Sequence, residues 1–144
     1  MSTVEQTADP SAIAALHRAE LAEAGRTKLP EVEAIVAEWQ NHTATRFLLL
    51  RESEPVAFLA YQPLGSGRLY IADLFVAPEF RHQGRGRLLL REAKRLATVL
   101  ELDVGRANLP ALALYRSEGF VAAGEVGDKI RLRWTGSRAG QETE

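Results

Sequence analysis

The chain has 144 residues, 46% of them hydrophobic and 26% charged, with a net charge of −1 and no cysteine. One ordinary domain fits that length, and an average globular composition excludes wholesale disorder. The missing cysteines remove disulfide scaffolds, thiol catalysis and thiolate zinc sites together, and a pI of about 6.3 argues against a general nucleic-acid binder.

Thr3 to Ala8 is expected as a short edge strand. Asp9-Pro10 opens a first helix, with Asp able to cap and Pro suited to the first turn. Ile13, Leu16 and Leu21 carry it to about Ala24, where Gly25 stops it. A second helix starts near Leu29-Pro30, with Val32, Ile35, Val36 and Trp39 on one face at i, i+3, i+4, i+7 spacing. The runs Thr45–Arg51 and Val56–Tyr61 flank a short polar turn and predict a hairpin. After Gly65-Ser66-Gly67, the stretch Arg68 to Val76 is apolar on both faces and reads as a central strand, interrupted by one charge, Asp73. Pro78 to Gln83 is a loop, and the longest helix is expected from Gly84 to about Leu100, with Leu89, Ala93, Leu96 and Leu100 on one stripe. A strand from Leu102 to Ala107 follows. A helix with Pro110 in its first turn and Gly119 as its left-handed stop comes next. Strands Phe120–Ala123 and Lys129–Trp134 then close the sheet across a turn at Gly124–Asp128. The order predicts one mixed α/β domain over residues 1–134 and a polar, disordered tail over 135–144. The longest stretch free of Asp, Glu, Lys and Arg, Pro55 to Gly67, is too short and polar to span a bilayer. Glu5 and Asp9 precede the first base, Arg18, so no secretory signal is expected and the location expected is cytoplasmic.

Charge is unevenly spread. Residues 1–60 hold nine acids against five bases, whereas residues 78–106 hold seven bases against four acids. The bases begin in a turn, Arg81-His82-Gln83-Gly84-Arg85-Gly86-Arg87, that leads from a buried strand into a helix. The first N–H groups of a helix lack internal partners and carry the positive end of its dipole. With glycines admitting a ligand to the backbone and Arg81, Arg85 and Arg87 around it, the turn reads as a pyrophosphate site. The alternative is a pair of glycines that merely end a loop and start a helix. Neither G-x-x-x-x-G-K-[ST] nor G-x-G-x-x-G is present, which sets aside P-loop and dinucleotide folds.

Joined to the downstream run Asn108-Leu109-Pro110-Ala111-Leu112-Ala113-Leu114-Tyr115-Arg116-Ser117-Glu118-Gly119-Phe120, this turn resembles the GNAT superfamily of acyl-coenzyme A-dependent N-acyltransferases over residues 44–134. The resemblance implies a mixed central sheet with helices on both faces, acetyl-coenzyme A as co-substrate, no metal, a small-molecule or peptide amine as acceptor, and a homodimer. It implies that the backbone of Leu74, Phe75 and Val76 holds the pantetheine arm, that Arg81, His82, Gln83, Gly84, Arg85 and Gly86 hold the pyrophosphate, and that Asn108 contacts the pantetheine. It also places Tyr115 facing the coenzyme sulfur. Asn108 and Tyr115 are two helical turns apart and share one face.

A neutral amine attacking the thioester forms an oxyanion, which a backbone N–H of Phe75 or Val76 can stabilise, and expels a thiolate that Tyr115, with an ordinary tyrosine pKa, can protonate. Core packing for Tyr115 and helix capping for Asn108 are the bland alternatives. Asp73 is the candidate base, its pKa raised by desolvation, against a purely structural Asp that pairs with an Arg or accepts backbone hydrogen bonds. The segment Leu69 to Phe75 resembles the polyamine acetyltransferase branch, but Ala72 stands where that branch often has a first acid, which weakens a polyamine substrate. His17 and His42 lack metal-ligand spacing and read as structural or exposed; Glu31, Glu33 and Glu38 read as a solvated face or an attraction for a cationic amine. Two rival functions stand beside the enzyme: a coenzyme-binding sensor without turnover, and a nucleic-acid-binding domain that uses the basic helix.

Overall fold

In the computed structural model, residues 2–6, 10–40 and 44–136 are described. Along the chain run β1 (Thr3–Gln6), α1 (Pro10–Glu23), α2 (Val32–Gln40), β2 (Arg46–Arg51), β3 (Pro55–Gly65), β4 (Arg68–Val76), α3 (Arg85–Leu96), β5 (Val99–Gly105), α4 (Leu109–Ser117), β6 (Val121–Val126) and β7 (Lys129–Thr135). Asp9, His42 and positions 137–144 of the expected tail lie outside the described residues.

The strands form one sheet in the order β1-β2-β3-β4-β5-β7-β6. Short turns after β2 and β3 force antiparallel neighbours, whereas the passage from β4 to β5 through α3 makes the one parallel pair. β4 is thus central, as its two-sided apolar pattern predicts. Successive residues of the run Phe47–Leu50 point to opposite faces. Leu49 joins Ile13, Leu16, Phe58 and Phe75 beneath α1, while Leu48 and Leu50 join Leu89, Leu90, Ala93, Leu100 and Leu132 beneath α3. Both faces are therefore covered by helix, α1 with α2 on one side and α3 with α4 on the other. The expected mixed fold holds.

Several boundaries differ from expectation. The helix expected to reach Leu100 ends at Leu96, because Ala97 turns extended (φ −140°, ψ 156°) and Thr98 N donates to Gly67 O at 2.8 Å. Leu100 keeps the stripe's spacing but packs in the same core from β5, which starts at Val99 rather than Leu102 and ends at Gly105. The last hairpin turns at Gly127-Asp128, so β6 runs on through Gly124 to Val126. Thr135 and Gly136 belong to the folded part, since Gly136 N donates to Thr98 O at 2.7 Å. Among the described residues no helix is long and apolar enough to cross a membrane.

Candidate active site

The site begins where β4 and β5 part. Their parallel ladder covers only Arg68–Tyr70 against Val99–Glu101, after which β5 stays with β7 and β4 keeps β3 alone. From Ile71 to Val76, β4 therefore presents an edge without a strand partner in the middle of the sheet. Unpaired backbone groups there need a partner of extended shape.

A bulge turns the side chains at this point. Ala60 pairs with Asp73 but Tyr61 with Ile71, leaving Ala72 as an extra residue. Before it, Leu69 and Ile71 face the α3 side. After it, Leu74 and Val76 face that side, and Phe75 faces α1. Asp73 has the parity of Phe75, so its carboxyl goes toward α1 and meets His17 and Glu20. One oxygen or nitrogen from each of His17, Glu20 and Asp73 lies within 4.8 Å of the others. His17 Nδ1 is 2.9 Å from Glu20 Oε1, and Leu74 N donates to Asp73 Oδ1 at 2.8 Å. Burial, reinforced by the Glu20 carboxyl, pushes Asp73 up to about 7. The hydrogen bond with Glu20 raises His17, whose ring lies 5.6 Å from that of Trp39. Among the described residues Asp73 pairs with no arginine. It accepts a backbone hydrogen bond and faces a second carboxyl.

The phosphate loop follows β4. A short 3-10 turn, Pro78–Phe80, leads to His82 at φ +64° and Gly84 at φ +84°, and α3 starts at Arg85. The N–H groups of residues 82–87 donate to no backbone acceptor among the described residues, so several adjacent donors sit at a helix start. A Cβ at Gly84 would meet nothing within 4 Å, which leaves that backbone open to a ligand. At Gly86, by contrast, a Cβ would come into ordinary contact, 3.4 Å from Leu114 Cδ2 and 3.9 Å from Leu74 Cδ2, where α3 packs on α4 and β4.

The arginines are arranged otherwise than expected. Arg81 donates to Val76 O at 2.8 Å and to both Glu23 oxygens at 2.5 and 2.6 Å. Arg85 donates twice to Glu52 at 2.8 Å, and to Gln83 Oε1 at 2.8 Å and Phe80 O at 3.0 Å. Arg87 reaches Ser117 Oγ at 2.6 Å and Glu118 Oε2 at 2.8 Å. Each guanidinium is held by a carboxylate that the sequence alone does not place. The loop's attraction for an anion thus rests chiefly on backbone N–H groups and the helix dipole.

Tyr115 lies across the gap on α4, buried, its ring 5.5 Å from that of Phe120 at 62°. Burial, followed by the negative charge of Asp73, pushes its phenol up to about 12, above the ordinary value expected from sequence. Asn108 is exposed and caps α4, its Oδ1 accepting from Ala111 N at 3.3 Å. Gly119 is left-handed at φ +93°, as predicted. Glu31, Glu33 and Glu38 are exposed, whereas the acid facing the gap is Glu20, which sequence reasoning missed. The available signal was His17 and Glu20 one turn apart on α1.

The profile of the acetyltransferase (GNAT) family matches residues 12–120. The chain is 31% identical over 118 residues to the peptidyl-lysine N-acetyltransferase YjaB of Escherichia coli, covering 81% of this chain and 69% of that protein. It is 33% identical over 100 residues to YjaB of Salmonella typhimurium, covering 68% of this chain and 66% of that one, so it spans about two thirds of these relatives. In fold it is similar to the PaiA N-acetyltransferase of Thermoplasma acidophilum, solved with coenzyme A, at a TM-score of 0.72, 18% identity and coverage of 94% and 99%.

Proposed function

Because the chain belongs to the acetyltransferase (GNAT) family, we propose that it moves an acetyl group from acetyl-coenzyme A to a primary amine, a peptidyl lysine being the first candidate. The observation that carries this reading is the unpaired edge of β4 running directly into a row of free N–H groups. An extended amide-bearing arm with a pyrophosphate at one end suits that pair of features, and Gly84 leaves the loop open to it. Leu74, Phe75 and Val76 would hold the arm through their backbone, and the N–H groups from His82 to Gly86 would hold the pyrophosphate. Asn108 would add its amide N–H. When bound, acetyl-coenzyme A supplies an acetyl thioester activated toward an amine.

The chain's own residues manage the protons. Asp73, with a carboxyl that titrates at about 7, is suited to take the proton an ammonium must lose near neutrality. Tyr115 holds the proton that the sulfur will need. A proton arriving at Asp73 also removes part of the negative charge that keeps the Tyr115 phenol weak, so the base primes the acid. A backbone N–H of Phe75 or Val76 would stabilise the developing charge on the thioester oxygen. A cytoplasmic location belongs to the same reading, on the cysteine-free composition. A homodimer also belongs to it: β6 pairs with β7 alone and leaves Val121 and Val126 64% and 43% exposed.

The test is release of free thiol from acetyl-coenzyme A with lysine peptides, peptides with free α-amino ends and small amines as separate acceptors. Turnover of the lysine peptide alone supports the reading in full, and turnover of another amine corrects only the acceptor. Coenzyme binding with no acceptor turned over would make the protein a sensor. A concentration-independent monomer mass in light scattering rejects the dimer.

A further inference from the structure

Asp73 faces more than solvent and substrate. The groups turned toward it are His17 and Glu20 from α1, Leu74 N from its own strand and Tyr115 from α4. Arg26 acts on His17, and Arg81 acts on Glu20 from the phosphate loop. A second carboxyl, that of Glu20, thus stands within 4.8 Å of the Asp73 carboxyl and disfavours its ionisation. The second carboxyl is itself fixed, since His17 Nδ1 lies 2.9 Å from Glu20 Oε1 and Trp39 covers the imidazole. Ile13 and Leu16, one turn earlier on α1, pack beside Phe75 in the same core and hold the helix against β4.

We propose that Glu20 and His17 act with Asp73 as one proton acceptor: the two carboxyls share a single proton, and His17 keeps Glu20 in place. This deepens the acetyltransferase reading and rests on it. Asp73 is the catalytic residue that meets the amine; Glu20 and His17 are positioning residues. The nitrogen of an ammonium acceptor sheds two protons in the overall reaction. One ends on the sulfur that loses the acetyl group, and the other passes to the carboxyl pair, breaking an N–H bond and forming an O–H bond, and then to water. A base made of two carboxyls holds a proton far more firmly than a lone aspartate would. It is therefore matched to an aliphatic ammonium better than a lone aspartate is.

The experiment is the pH profile of kcat/KM for the parent, Glu20→Gln, His17→Gln and Asp73→Asn, with whichever amine the parent acetylates. In the parent, activity should rise with pH along an acid limb near neutrality. Glu20→Gln should move that limb at least about one pH unit lower and reduce the plateau about tenfold, because the remaining carboxyl is a weaker base. His17→Gln should reduce the plateau with a smaller shift of the limb, because loosening Glu20 and removing the His17 charge act on Asp73 in opposite directions, and Asp73→Asn should abolish the limb. A merely structural Glu20 would change expression or melting temperature and leave the limb where it was. An unmoved limb in a folded, active Glu20→Gln variant overturns the proposal while leaving the acetyltransferase reading intact; a parent without turnover overturns that reading instead. A second readout needs no substrate. Melting temperatures of Glu20→Gln, Asp73→Asn and the double variant at pH 5 and pH 8 should be non-additive at pH 8, where Asp73 has given up its proton beside Glu20. Additivity at both pH values rejects proton sharing.

Discussion

Glu23, in the last turn of α1, holds both terminal nitrogens of Arg81 in the phosphate loop at 2.5 and 2.6 Å. The same helix carries His17 and Glu20 against Asp73. One helix thus touches both the place where the cofactor's phosphates would sit and the place where the acceptor's proton would go.

Breaking that clasp should affect binding more than folding. The pair is largely open to solvent, so Glu23→Gln should leave the melting temperature nearly unchanged. It leaves the Arg81 cation uncompensated beside the loop. Calorimetry should show coenzyme A binding a few-fold tighter at low salt, with the gain lost at about 1 M salt, where screening acts over roughly 3 Å. Tighter binding that persists at high salt would point to a loop rearrangement instead.

Gly84→Val should weaken coenzyme A binding tenfold or more, about 1.4 kcal/mol. An added Cβ meets no protein atom within 4 Å, so the effect comes from filling the anion's approach and from straining a residue at φ +84°. Unchanged affinity in a folded Gly84→Val protein would place the phosphates elsewhere.

Tyr115→Phe separates chemistry from packing. The phenol has no hydrogen bond among the influences on its titration, so the loss of its hydroxyl should leave the melting temperature nearly unchanged. kcat should fall about tenfold to a hundredfold, the low end for a general acid, since a phenol this weak transfers its proton reluctantly. Coenzyme affinity should hold. A kcat within twofold of the parent, measured on the same preparation as the melting temperature, assigns the proton to water.

Asp73 should make stability depend on pH in the opposite sense to most carboxylates. Its pKa is raised from 3.8 to about 7 by folding, so between those values the folded protein keeps a proton that the unfolded chain has shed. The stability this group contributes is complete at and below pH 4 and is lost as pH rises to 7. Asp73→Asn should therefore melt close to the parent at pH 4 and roughly 3–6 °C above it at pH 8. A constant difference across that range would contradict the shift.

Glu118 works the other way. Burial alone would raise it, but hydrogen bonds from Lys94, Arg87 and Arg91 prevail and hold it below the ordinary value. That contribution is present above pH 4.5 and is lost as pH falls further. Glu118→Ala should cost about 1–3 kcal/mol at neutral pH, because α3 loses its polar tie to the end of α4, and denaturant titration at pH 7 and pH 3 should show the penalty shrinking in acid.

Much of this could be read from local pattern. The turn Gly65-Ser66-Gly67 and the limits of β4 follow from glycine chemistry and a two-sided apolar run, and the loop at Gly84 follows from glycines at a helix start. Where one residue suits two elements, pattern fails: Leu100 fits the helix stripe and the strand alike, and a backbone bond from Thr98 to Gly67 decides between them. The partners of Arg81, Arg85 and Asp73 are tertiary facts. Glu23 and Glu52 carry no local mark that sets them apart from the exposed acids of α2, and Glu20 carries only its spacing from His17.

The bulge at Ala72 has a consequence for how this site tolerates change. Ala72 contributes only a methyl group, yet it decides which way its neighbours look. Were β4 to run here as a regular strand, with Ala72 paired in its turn, the same residues would send Asp73 into the greasy space under α3 and swing Leu74 and Val76 onto the acid pair's side. The reaction centre depends on register as well as on identities: all its parts would be present, assembled inside out.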